Sequence, residues 1–182
     1  MHVRLERGKM AVAIPILAIA LAVVIPGCGY SLRPPFDKSI RTVYVPVFRS
    51  VTFRRDINLM LTEYVQKEIE RRSHFKVVGS PDGADTTLSG EIFFTEKNTI
   101  VENPNNLPRQ LNLIITASVI WEDNRPEFDE DGDPKPKRKP EPVVVSETVF
   151  FNSEIGETVT LAYEKACQQL ARQIVGMMEE PW

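Results

Sequence analysis

Residues 110–121 read QLNLIITASVIW, and this stretch constrains the fold more tightly than any other. Leu111, Leu113, Ile115, Ala117, Val119 and Trp121 fall on one side, with Asn112, Thr116 and Ser118 among the residues on the other. A period of two over that length is the mark of a β-strand with one buried face. Two further runs repeat it. Residues 86–96, TTLSGEIFFTE, place Leu88, Gly90, Ile92 and Phe94 on one face, and residues 143–151, VVVSETVFF, place Val143, Val145, Val149 and Phe151 there. Glu147 interrupts the last face, either because a bulge re-aims it or because it is solvated at the sheet margin. The opposite face carries Thr87, Ser89, Glu91, Phe93, Thr95, Ile114, Ser146, Thr148 and Phe150, a hydroxyl-rich surface with scattered large apolar groups. Such a face is either the wet side of an antiparallel sheet or a docking surface.

Working outward, residues 156–179 place Val159, Ala162, Tyr163, Ala166, Cys167, Leu170, Ile174, Met177 and Met178 in one helical stripe. Residues 56–73 place Ile57, Met60, Leu61, Tyr64, Val65 and Ile69 at helical spacing, and Arg71 and Arg72 suit the negative end of that helix. Residues 40–48, IRTVYVPVF, alternate as a strand, but Pro46 cannot donate to a ladder. The strand therefore ends there or lies at an edge. Residues 75–78, FKVV, form a short strand closed by the turn GSPDG. The order β-α-β-β-β-β-α predicts an α+β two-layer sandwich, a mostly antiparallel sheet of four to five strands with two helices packed on one face.

The N-terminus fixes the compartment. Residues 1–9 carry Arg4, Arg7 and Lys9 against Glu6, and an uncharged apolar run follows to Gly27. A basic start, an apolar core and a small residue at the end describe a secretory signal peptide over residues 1–27. A spanning helix needs about 20 apolar residues, and Pro15 and Pro26 interrupt this run. It closes on Ile25-Pro26-Gly27-Cys28, which resembles a bacterial lipobox, although Pro26 departs from the usual small residue. Cys28 is the expected lipidation site, and an acylated cysteine would hold the chain on a membrane. Cys167, the other of two cysteines, then has no disulfide partner and reads as a small core hydrophobe. Residues 28–39 read as a proline-bearing tether, and residues 40–182 as a single domain.

Composition and charge exclude other classes. Removal of the leader leaves 19 basic against 24 acidic residues, near −5, which argues against a nucleic-acid binder. The two histidines are His2, in the leader, and His74, which reads as a surface residue at the end of the first helix. No GxSxG, HExxH or P-loop pattern occurs, so neither an enzyme nor a cofactor protein is expected. The acidic run from Glu127 to Asp133 fits a calcium loop poorly, because Arg138 falls where a bidentate glutamate belongs, and no metal is expected. The connector 122–142 turns from acidic to basic, ending in the cluster Lys135, Lys137, Arg138 and Lys139 between prolines. It is either a solvated hairpin loop or a contact for lipid phosphates.

Several of these segments together resemble one family. CGYSLR at 28–33, VYVPVF at 43–48, Asp56 leading into an amphipathic helix, ADTTLSGEI at 84–92 and the long C-terminal helix look like the LptE family of lipopolysaccharide-assembly lipoproteins. The connector 122–142 looks like an insertion relative to the usual pattern. The resemblance implies a non-catalytic outer-membrane lipoprotein. It would sit as a plug in an LptD-type β-barrel and help place lipopolysaccharide in the outer leaflet. Arg109, beside the turn NPNNLP at 103–108, and the cluster Lys135, Lys137, Arg138 and Lys139 are lipopolysaccharide-contact candidates by charge and loop position alone. The alternatives are an envelope lipoprotein that regulates a periplasmic cell-wall synthase, a divalent-cation binder using Glu127 to Asp133, and a periplasmic hydrolase.

Overall fold

The structure, a computed structural model, describes residues 36–54, 56–126, 128, 129, 133, 135, 136 and 139–179. The signal peptide, Cys28, Lys137, Arg138 and most of the acidic run lie outside them.

Three long strands carry the sheet: β4 (Thr86–Glu102), β5 (Pro108–Asp123) and β6 (Val143–Asn152). They pair antiparallel in the order β4-β5-β6. The alternation of β5 is realised along its length, with Leu111, Leu113, Ile115, Ala117 and Val119 all buried. Short strands extend the sheet on the β4 side. β1 (Thr42–Tyr44) lies parallel between β3 (Lys76–Val78) and β4, while β2 (Arg49–Ser50) also runs parallel to β4. The sheet is therefore mixed, with six strands. The strand expected over 40–48 stops at Tyr44, just before Pro46, and the extra strand β2 lies beyond that stretch.

Helices α1 (Ile57–Arg72) and α2 (Val159–Gly176) pack their apolar stripes on the inner sheet face. Ile57, Leu61, Val65 and Ile69 of α1 are buried, as are Ala166, Cys167, Leu170 and Ile174 of α2. The Thr158 hydroxyl caps α2 by accepting from the Leu161 N–H at 3.2 Å. α1 has no side-chain cap, and Asp56 before it sits in the left-handed region at φ 69°. Burial pushes the Cys167 thiol up to about 12, so it stays protonated and inert at neutral pH. Packing contacts extend upstream of β1. Phe36 is buried edge-on against Phe75 at 5.3 Å, and the Arg125 guanidinium donates to Ser39 Oγ at 2.6 Å.

Two locks hold the short strands to this framework. Phe48 is buried beneath Gly90, its backbone N–H donating to Thr62 Oγ1 of α1 at 3.0 Å. Asp85 Oδ2 accepts from the backbone N–H groups of Arg41 and Thr42 at 2.8 and 2.9 Å, and Thr42 Oγ1 accepts from the Asp85 N–H at 2.9 Å. The Arg41 N–H, then the Thr42 N–H, hold the Asp85 carboxyl below the ordinary carboxylate range.

The face assignment changes in the middle of β4. A bulge between Ile92 and Phe94 shifts the register, so that Ile92 pairs with Ala117 but Phe94 pairs with Thr116. Phe94 therefore joins the outer face, not the core, and Thr95, opposite Ile115, takes the inner side. The bulged strand accommodates one extra residue, and the side chains from Phe94 to Thr99 change face, up to the next register shift at Thr99/Val101. β6 shows no such shift. Glu147 stays on the inner side opposite Ile115, half-buried on a marginal strand, and accepts a hydrogen bond from Gln173 of α2.

Candidate functional site

The outer face of β4, β5 and β6 carries no helix among the described residues. Period-two alternation leaves polar groups there, and short hydrogen bonds order them. Thr116 and Ser146 hydroxyls lie 3.0 Å apart across β5 and β6, and Asn124 Nδ2 donates to Thr87 Oγ1 at 2.8 Å. Between these groups Val144 and Phe150 stand exposed, with Ile114 and Ile120 half-buried. The Asn112 side-chain oxygen is buried without a protein hydrogen-bond partner, in register with Asn98 on one side and Phe150 on the other. A surface of this kind can take a flat partner by apolar contact and hydrogen bonding.

At one end of the sheet the β4–β5 hairpin closes in a side-chain-braced turn. Asn103 Oδ1 accepts from the backbone N–H groups of Asn105 and Leu107 at 2.9 and 3.0 Å, and Asn106 takes the left-handed conformation at φ 59°. Arg109 follows the turn, its Nε 3.2 Å from Glu154 Oε2. This candidate cation is therefore exposed but already paired. The connector 122–142 leaves and re-enters the sheet at the opposite end, where β5 stops at Asp123 and β6 starts at Val143. Lys135 and Lys139 are exposed there. The length of β5 separates Arg109 from that end by on the order of 45 Å. Arg109 thus lies at the other end of β5 from the strand ends that bound the connector.

A third feature gave little signal in the sequence. The β4 bulge brings Phe93 and Phe94 to the surface beside the loop that follows β2. Val51, Thr52, Phe53, Arg54, Asp56, Phe93, Phe94, Thr95 and Tyr163 line a cleft of about 750 Å³. Arg54 lies over the Tyr163 ring, 4.0 Å from its centroid. The doubled Phe93-Phe94 was the available hint, since two large apolar neighbours cannot share one face of a regular strand.

Among the described residues, no group resembles a catalytic set. His74 Nε2 lies 3.0 Å from the Ile40 carbonyl with its ring against Phe75, and Cys167 is buried. Among the described residues, no three His, Cys, Asp or Glu side chains are placed to hold a metal ion, and no helix is long and apolar enough to cross a membrane.

The family model described as LptE, lipopolysaccharide-assembly, matches residues 40–178, the whole of the sheet and both helices. The chain belongs to the LptE family. That family is one of non-catalytic lipopolysaccharide-assembly lipoproteins. No curated protein matches this LptE-family chain in sequence. Among solved structures, a hypothetical protein, CT253, from Chlamydia trachomatis is similar at 10% identity, covering 76% of this chain and 95% of that one, with a TM-score of 0.51. The rare lipoprotein B from Shewanella oneidensis matches at 13% identity, covering 76% and 93%, with a TM-score of 0.46. An uncharacterized lipoprotein B from Nitrosomonas europaea matches at 14% identity, covering 82% and 92%, with a TM-score of 0.45. The Chlamydia likeness supports the shared α+β fold of the LptE-family domain and nothing further.

Proposed function

We propose that this LptE-family chain is a lipid-anchored outer-membrane subunit that seats in an LptD-type β-barrel, plugging it and assisting lipopolysaccharide assembly. The family match over residues 40–178 carries this reading. The uncovered outer sheet face, with its hydroxyls and its exposed Val144 and Phe150, supplies a surface on which a barrel lumen can close. Cys28 would bear the acyl groups and keep the domain at the membrane. The two separated groups of cations would meet lipid phosphates at different points, Arg109 at the hairpin and Lys135, Lys137, Arg138 and Lys139 on the connector.

A photoreactive side chain at Phe150 tests the seating in native envelopes. The expected adduct has the mass of a large β-barrel, and the mature N-terminal peptide should carry acyl chains on Cys28. Capture of a cell-wall synthase in place of a barrel would favour the regulatory alternative and reject the plug. The phosphate contacts are tested by neutralising the four connector cations, and separately by Arg109→Gln, and measuring binding to a phosphorylated lipid A mimic. Unchanged affinity in either case removes that group from the proposal.

A further inference from the structure

We propose that the loop following β2, with Phe53 at its tip and Phe93 and Phe94 at its base, is a second membrane contact that settles into the headgroup region of an anionic lipid surface. Phe53 is fully exposed, and Val51 and Val47 are each more than half exposed. Phe93 and Phe94 remain 45% and 41% exposed because the bulge turns Phe94 away from the core. An unbroken register would have turned that ring to the inner face, opposite Ile115. Bulges that re-aim side chains are concentrated at functional edges. Contiguous exposed apolar surface marks a contact with a protein or a membrane.

Charge favours the membrane. Residues 49–56, RSVTFRRD, carry three arginines and one aspartate on a chain whose net charge is −3. Glu91, in register with Arg49 across the β2–β4 pair, lies opposite one of the three, and within the segment itself cations prevail over carboxylates. Arg54 is held at the rim of the cleft by its stacking on Tyr163. A fully exposed phenyl ring, flanked in sequence by arginines, matches an anionic bilayer interface. The ring enters the boundary between headgroups and acyl chains, while the arginines meet phosphates. A folded protein partner would have to provide a pocket for Phe53, and a fluid interface needs none.

Only proximity to a membrane is taken from the proposed anchoring, and the two readings fail separately. The test uses the mature chain carrying Cys28→Ser, so that no acyl group contributes, with vesicles of phosphatidylethanolamine and phosphatidylglycerol. A fluorophore on Phe53→Cys should shift to the blue and be quenched by lipid-borne nitroxides, while buried Cys167 takes no label. Phe53→Ser should weaken vesicle binding roughly tenfold or more, the loss expected for one apolar ring. Combined Arg49→Gln and Arg54→Gln should weaken it about 25-fold, at about fivefold per arginine near an anionic surface. Ile155→Ser, at an apolar residue also open to solvent elsewhere on the chain, should leave it unchanged. Equal binding to pure phosphatidylcholine, no quenching at position 53, or quenching only when a barrel partner is present would each overturn the inference. A failed anchor shows instead as an unmodified Cys28 in the native N-terminal peptide and leaves the vesicle result standing.

Discussion

Replacing Phe48 by alanine should lower the unfolding free energy by about 3–5 kcal/mol, the range for removing a buried aromatic ring. Phe48 is 1% exposed and lies directly under Gly90. A Cβ added at Gly90 would stand 2.8 Å from Phe48 Cε2 and 3.1 Å from both Phe48 Cδ2 and the Ser118 carbonyl oxygen. Gly90→Ala alone should therefore cost about 1–3 kcal/mol by overpacking. With Phe48→Ala in place, two of those three close contacts disappear, and the added methyl group partly fills the space the ring has left. The double variant should be more stable than the sum of the two losses predicts, by about 1 kcal/mol or more. Urea unfolding of the four species measures the coupling, and strictly additive losses would show that the ring and the glycine do not act as a pair.

The second large effect is expected at Asp85. Its carboxylate accepts from two backbone N–H groups that open β1, and such charge-assisted bonds are stronger than neutral ones. Asp85→Ala should cost about 1–3 kcal/mol at neutral pH, a range lowered for the partial exposure of the group. The pH dependence has a definite sign. Because the folded carboxyl is held below its unfolded value of about 4, its contribution is complete above that pH and is lost as the pH falls through the folded value. The native chain should thus lose stability in acid more steeply than the variant, and the two should draw together there. Asp37 and Glu68, also held low by hydrogen bonds to Ser39 and Arg71 respectively, leave a residual acid slope in both. Thermal unfolding between pH 7 and strong acid tests this, and parallel curves for the two proteins would exclude a role for Asp85 ionisation.

The sheet could be read from the sequence to the extent that alternation was unbroken. β5 alternates without interruption, and each of its predicted inner residues from Leu111 to Val119 is buried. The same reasoning failed within β4, at Phe94. β4 and β6 each contain a Phe-Phe doublet, yet only the first marks a bulge. In β6 the register is regular, with Phe150 outside and Phe151 buried. Local sequence does not distinguish the two cases, because the difference lies in what each strand packs against. β6 has α2 over its inner face, whereas β4 beyond Ile92 has left the cover of the short strands. The Phe48–Gly90 and Asp85–Thr42 locks were illegible for a related reason. Each joins residues more than 40 positions apart, and composition carries no trace of such pairings. The candidate cations illustrate the converse limit. They were picked by charge and loop position, and the length of β5 sets Arg109 apart from the strand ends that bound the connector.

Among the described strands, β6 has β5 as its only neighbour, which leaves the backbone donors and acceptors of alternate residues along its ten facing outward. Such a border invites stacking of one molecule on the next, and a continuous row of valine and phenylalanine would make it worse. Glu147 interrupts that row from the inner side. Its carboxylate is engaged by Gln173, so a strand arriving at this border would have to set its own inner residue beside a fixed negative charge. The residue that spoils the hydrophobic pattern of β6 thereby guards the molecule against running together into fibres before it reaches its place in the envelope.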